Sequence, residues 1–348
     1  MTGKTSLFTI LTGVHETART GAMETKVGVT KVPDARLEAL ARVFSPQKVT
    51  HATIEFIDFP SISRESLRDP SYLASLRVAD AVAHVVRLFE SETVPHEKGT
   101  VDPMRDISDA DTELVLSDLA VVEKRLERLE KDRKKIKDPG LDREYELLGE
   151  AKAMLENGTP LRTWALAGDD EKRLRGFQFL SQKPILFVLN VGEEDAGRMT
   201  EIEEDFRQKL VQEGSRSEVT AVCGKIEAEL EELDPAEQHE YLASYGLPGS
   251  SLDRLVQAMY RLLGLMSFLT AGETEVRAWT VPVHSTALKA AGAIHSDFEK
   301  KFIRAEVVPW QALVEHGGYA GAREKGLLRL EGKDYMVKDG DVLVIRHG

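Results

Sequence analysis

Met1-Thr-Gly-Lys-Thr-Ser-Leu-Phe8 is the stretch whose reading decides the fold. Gly3-Lys4-Thr5 matches the closing half of a phosphate-binding loop, G-x-x-x-x-G-K-[ST]. In such a loop successive backbone N–H groups cradle phosphates, the Lys reaches the β- and γ-phosphates, and the Ser/Thr hydroxyl holds Mg2+. The helix that follows adds its N-terminal dipole. Ser6 to Leu11 reads as that helix, ending near Gly13. The first Gly of the loop would lie five residues before Gly3, and the apolar strand feeding it earlier still. The expectation is a start upstream, with Met1 an internal methionine; a protein without that first strand is the alternative. Taken alone, the tripeptide also fits an ordinary polar N-terminus.

Beyond Gly13 the chain alternates strand and helix. Val27–Val32 alternates as a strand, and Asp34 is placed to cap a helix over Ala35–Phe44. Ala52–Ile57 is a second alternating strand, ending in Asp58. Tyr72–Val78 reads as a helix. Ala81–Phe89 and Pro184–Asn190 are apolar runs of the kind that form buried parallel strands, and Glu218–Cys223 is a shorter one. Leu252–Leu265 closes the set as an amphipathic helix. This order implies a doubly wound α/β domain with a mostly parallel sheet.

From about Asp109 to Asn157 the period changes. Leu119, Val122, Leu126, Leu129 and Ile136 fall on a 3,4 spacing, with Arg133 in the remaining seam position. Asp138-Pro-Gly140 breaks the run, and Leu141, Tyr145, Leu148 and Leu155 resume it with Lys152 in the seam. Two heptad-like helices about a Pro-Gly turn make an antiparallel helical hairpin, a short coiled coil inserted in the α/β domain. Its 10 Lys+Arg against 14 Asp+Glu read as a solvated face. From Thr270 the style changes again. Short strands at Val276–Val283, Ala305–Val308, Tyr335–Val337 and Val342–Ile345, with helical segments between, make a small β-rich module.

Composition bounds the rest. The 348 residues are 42% hydrophobic and 30% charged, with a net charge of −13. That suits a soluble protein of two or three domains and argues against sequence-blind nucleic-acid binding over the whole surface. No apolar run approaches a membrane span, and there is no secretory signal pattern. Cys223 is the only cysteine, so an intramolecular disulfide is ruled out. The cytoplasm is the economical location, with no membrane partner and no sequence-specific DNA binding expected.

A nucleotide domain needs a carboxylate at a neighbouring strand tip to hold Mg2+ through water, and Asp58 is so placed. The same residue also suits a cap of the next turn. Asn190, with Glu193 three residues on, lies where amide and carboxylate contacts to a purine edge are made; a turn-forming Asn with a solvated Glu is the plainer reading. His84 reads as a packed core residue and Cys223 as a structural thiol. The order Gly-Lys-Thr, strand-Asp, strand-Asn-x-x-Glu, strand-Cys-Gly-Lys is that of GTPase-like P-loop proteins.

The chain then resembles the YchF/Obg-like ATPase family. The resemblance rests on Gly28-Val-Thr-Lys-Val-Pro-Asp-Ala-Arg-Leu37, Ala81-Val-Ala-His-Val-Val-Arg-Leu-Phe89, Leu189-Asn-Val-Gly-Glu193 and Lys225-Ile-Glu-Ala-Glu229. It rests most on Phe268–Val283, Ala290–Ala305 and Glu331–Asp341. It implies a P-loop NTPase domain (1–108 and 183–267), an inserted helical coiled coil (109–182) and a C-terminal β-grasp TGS domain (268–348). It also implies a ribosome partner, bound ATP or GTP with Mg2+, and slow hydrolysis. Gly3, Lys4, Thr5 and Ser6 would take the phosphates, Thr5 and Asp58 the metal, and Asn190, Val191 and Glu193 the base. Val at the Lys position and Glu for Asp remove the usual reasons for guanine selectivity. Family members carry an apolar residue in place of the catalytic Gln, so no catalytic residue is assigned.

Three departures from the family pattern bear on activity. The phosphate loop is cut at Met1. The family's Asp-x-x-Gly reads Asp58-Phe-Pro-Ser61, with Ser less permissive than Gly and Pro60 stiffening the loop. The Thr that normally meets Mg2+ falls on Ala22 by register, with Thr20 or Thr25 able to substitute only in a shifted loop. A degenerate adaptor that binds partners without hydrolysing nucleotide is the alternative these departures raise.

Overall fold

The computed structural model describes residues 2–14, 25–166 and 168–348. The strands among them are β1 (Lys26–Lys31), β2 (Lys48–Thr50), β3 (Thr53–Asp58), β4 (Val82–Arg87), β5 (Ile185–Asn190), β6 (Ser217–Val222), β7 (Leu265–Ala271), β8 (Glu275–Pro282), β9 (Phe302–Pro309), β10 (Arg329–Glu331) and β11 (Asp341–His347). The first five helices are α1 (Lys4–Thr12), α2 (Ala35–Phe44), α3 (Pro70–Val78), α4 (Pro103–Arg133) and α5 (Pro139–Glu156). The chain divides into two units, Met1–Gly28 with Phe56–Ala258 and Val29–Glu55 with Met259–Gly348.

In the first unit β4, β5 and β6 form a parallel ladder, Val82 opposite Ile185 and Ile185 opposite Ser217. The run Ile-Leu-Phe-Val-Leu-Asn is buried at every position because β5 is the central strand. Phe187, Leu189, Val219 and Ala221 pack against Met199, Ile226 and Leu230 of the helices that follow β5 and β6. β3, which ends in Asp58, pairs with β1 in a separate ladder.

The inserted hairpin starts earlier than its hydrophobic period. Asp102 caps α4 by accepting from the Arg105 N–H at 3.1 Å, and Pro103 takes the first turn, where no N–H is needed. Val115, Val122 and Leu129, seven residues apart, are fully buried against Leu147, Leu148, Ala151 and Leu155. Leu119, Leu126 and Tyr145 line the edge of the seam. Ile136 does not extend it: α4 ends at Arg133 and Ile136 is 60% exposed. Asp138-Pro139 starts α5 rather than ending the run, since Asp138 accepts from the Gly140 N–H at 2.7 Å. Arg133, in its seam position, lies 4.3 Å over the Tyr145 ring and pairs with Asp142.

The second unit holds a six-stranded sheet in the order β10-β9-β11-β7-β8-β2. β11 runs parallel to β7 and β2 parallel to β8; the other pairs are antiparallel. Phe268, Val281, Val307 and Leu343 face Ala287 and Ala290 of the helix Ala287–Ile294. α2 packs on β7 and β8 and against the helix Trp310–Glu315. The segment 29–55, read with the N-terminal domain from sequence, therefore belongs by its packing to this unit. Thr50 lies opposite Arg277, and its hydroxyl donates to Glu275 at 2.5 Å. Arg36 joins Asp34 at 2.7 Å to Asp339 at 2.7 Å. The expected strand at Tyr335–Val337 is reduced to one bridge, Met336 to Thr286. Among the described residues no helix is long and apolar enough to cross a membrane.

Candidate nucleotide site

α1 begins at Lys4, directly after Gly3, whose φ of 86° is left-handed. A side chain at position 3 would be strained there, and its Cβ would lie 2.5 Å from the Asn190 amide nitrogen. The first turn of α1 presents Lys4 and Thr5 to Asp58 at the end of β3. The Thr5 hydroxyl donates to Asp58 Oδ2 at 3.0 Å, and the Lys4 ammonium pairs with Oδ1. The Asp58 side chain is only 8% exposed, so this carboxylate and its two partners form a shielded polar cluster. Ser6, in the same turn, is exposed.

Asn190, at the end of β5, is 4% exposed and makes one hydrogen bond through each end of its amide. Its amide donates to the Thr2 carbonyl at 3.0 Å, and its Oδ1 accepts from the Gly224 N–H at 3.0 Å. It thus ties the segment entering α1 to the helix after β6. Val191 turns its side chain into the core, 2% exposed, while its N–H donates to Val222 at 2.9 Å. Glu193 is held on both oxygens, Oε2 by Lys225 and Oε1 by the Tyr245 hydroxyl at 3.1 Å. The Lys225 hydrogen bond first, and that of Tyr245 after it, hold the Glu193 carboxyl below its usual range.

The structure brings Gly3, Lys4, Thr5 and Asp58 together, and joins Asn190 to Thr2 beside them. Thr20 and Ala22 lie outside the described residues. Ser61 and Pro60 are pinned from behind: Pro60 accepts from the Tyr72 hydroxyl at 3.1 Å and Ser61 from the Ser66 hydroxyl at 3.0 Å. Ile62 packs with Phe59 on the Tyr72–Leu76 cluster. Tyr245 and the Gly224 N–H escaped the sequence reading; the Asn-x-x-Glu spacing pointed only at their partners. His84 packs against Phe187, and burial lowers its pKa. Cys223 is buried and its thiol pushed up by burial, which disfavours the reactive thiolate. Among the described residues no cluster of three His, Cys, Asp or Glu could hold a metal.

The family model named YchF-GTPase_C, described as a protein of unknown function, matches residues 265–348. The chain is 41% identical over 351 residues to the "Ribosome-binding ATPase YchF" of Haemophilus ducreyi, covering 99% of this chain and 96% of that protein. It is 39% identical over 351 residues to the protein of the same name from Bacillus subtilis, with the same coverage. The solved structure of the Schizosaccharomyces pombe YchF GTPase superposes with a TM-score of 0.83 at 24% identity, covering 99% of this chain and 94% of that one. That likeness gives the fold, a P-loop NTPase sheet with its inserted hairpin and C-terminal module. Identity of this level along almost the whole length means that the chain belongs to the YchF family.

Proposed function

We propose that the chain is a ribosome-associated ATP-binding protein with slow Mg2+-dependent hydrolysis, working in the cytoplasm. The observation that carries the reading is the convergence of Lys4 and Thr5 on Asp58 at the N-terminus of α1. Its relatives' name, ribosome-binding ATPase, supports the same reading. A hydroxyl and a carboxylate are hard oxygen ligands. Mg2+ is commonly bound by one or two such protein groups, with phosphates and water completing the shell. Thr5 and Asp58 would therefore hold the ion, which when bound neutralises charge on the phosphates. Lys4, with the backbone N–H groups of Gly3 to Ser6, would hold the phosphates.

Asn190, Val191 and Glu193 would define the base site. Guanine is read by a carboxylate accepting from its N1–H and N2 amino groups together. Both Glu193 oxygens are already taken, and Val191 offers no alkyl stem along the base, so the site has lost its means of selecting guanine. Tyr245→Phe frees one Glu193 oxygen and is expected to raise GTP affinity relative to ATP by about 3- to 10-fold, the worth of one hydrogen bond. Dissociation constants of fluorescent ATP and GTP check it; an unchanged ratio removes Glu193 from base selection. Hydrolysis would be slow because Ile62, next to Ser61, packs half-buried against the Tyr72–Leu76 cluster and its side chain has no amide to orient a water.

Co-sedimentation with purified ribosomes tests the whole reading. Pelleting is expected to differ several-fold between a non-hydrolysable ATP analogue, ADP and no nucleotide. Equal pelleting in all three would overturn the switch and leave the non-hydrolysing adaptor.

A further inference from the structure

The hairpin is electrostatically polarised. Residues 124–143, the far ends of α4 and α5 with their connection, hold nine Lys and Arg against five Asp and Glu. The remainder of the two helices holds only Arg105 and Lys152 against ten acids. The excess is sharpest from the last turn of α4 into the connection, where Lys131, Arg133, Lys134, Lys135 and Lys137 face a single acid, Asp132. Arg133 is committed to Asp142 and Tyr145. The four lysines are exposed and enter none of the ion pairs of the described residues.

Fold stability does not account for them. Cations in the last turn of α4 suit its dipole, which covers Lys131 and Lys134. Lys135 and Lys137 lie beyond that turn and immediately before the N-terminus of α5, where positive charge is unfavourable. A cluster of unpaired ammonium groups on a chain of net charge −13 is therefore a feature the fold does not need. α4 is 31 residues, about 46 Å at 1.5 Å per residue, so the cluster sits at the end of a long arm.

We infer that this tip is a docking surface for the phosphate backbone of ribosomal RNA. The inference rests on the ribosome association proposed above. Lysines without an aromatic or apolar platform suit phosphate contacts, which need charge and no shape. A protein partner would call for a desolvated apolar centre, and Ile136 is the one large apolar side chain exposed between the lysines.

The test uses the full chain carrying Lys134→Gln, Lys135→Gln and Lys137→Gln together. Its control carries Lys152→Gln, Lys172→Gln and Lys209→Gln, the same charge change elsewhere. Binding to ribosomes and to protein-free ribosomal RNA is measured between about 50 and 300 mM KCl. The tip variant is expected to bind both about 10-fold or more weakly, with the slope of log Kd against log salt reduced by about two to three. The control keeps the wild-type slope, and an unchanged melting temperature shows that both variants fold. Ribosome affinity and slope equal to wild type would overturn the inference while leaving ribosome association standing. Weaker ribosome binding with unchanged binding to bare RNA would overturn the RNA contact in favour of a ribosomal protein. A wild-type chain that binds ribosomes in no nucleotide state would remove both.

Discussion

Lys4→Ala is expected to weaken ATP binding by about 100-fold or more, because in the proposed site it removes the side-chain cation that would meet the phosphates at the start of α1. Lys4 is one-third exposed, and its only ion pair among those of the described residues is with Asp58. Without Lys4, Asp58 keeps the Thr5 hydroxyl at 3.0 Å and stays at the end of β3. The melting temperature of the free protein should fall as well, because the largely buried Asp58 carboxylate loses its cation, so titration calorimetry with Mg-ATP is run well below it and is expected to lose its signal. Wild-type affinity in this variant would show that phosphates are held elsewhere and would remove the N-terminal loop from the site.

Why that loop could be read from sequence, and other parts could not, has a physical basis. Gly-Lys-Thr and the strand ending in Asp58 are local patterns, and each residue type is dictated by the group it would meet. The caps at Asp34, the buried run of β5 and the seam of Val122, Leu129, Leu148 and Leu155 are local in the same sense. β2 is not. Three residues, Lys48–Thr50, pair with Glu275–Arg277 more than two hundred positions away, and no short window carries that information. Ile136 shows the limit of periodicity: its spacing fits the seam, but the chain leaves the helix after Arg133, before reaching it. Tyr245 has no motif. It matters because a tertiary turn brings its hydroxyl to Glu193. Asp118 was hidden for the opposite reason: one residue before Leu119 it reads as part of a solvated face, yet it is 1% exposed.

Asp118→Ala is expected to destabilise the protein by roughly 2–4 kcal/mol, read by urea unfolding. Its two oxygens accept from the Leu180 N–H at 2.9 Å and the Ser181 N–H at 2.7 Å. Ser181 in turn accepts from the Arg162 N–H at 2.8 Å, so the carboxylate anchors α4 to the chain entering β5. Alanine strands two buried donors. Asparagine keeps the volume but can satisfy only one of them, and should cost less than alanine. The pH dependence separates this role from simple packing. Burial pushes the Asp118 carboxyl up to about 6, against an ordinary value of 3.8, despite its hydrogen bonds and the positive charge of Arg77. Between those values the folded state binds the proton more tightly than the unfolded chain, so stability falls as pH rises. The contribution is complete below the ordinary value and is lost as pH rises through about 6. Asp118→Asn cannot titrate, and other groups cancel in the comparison. The stability of wild type relative to Asp118→Asn should therefore increase as pH is lowered from neutral toward the ordinary carboxylate range. A difference that stays constant or shrinks on acidification would mean that Asp118 is held charged by its partners and that its proton does not couple to the anchoring of α4.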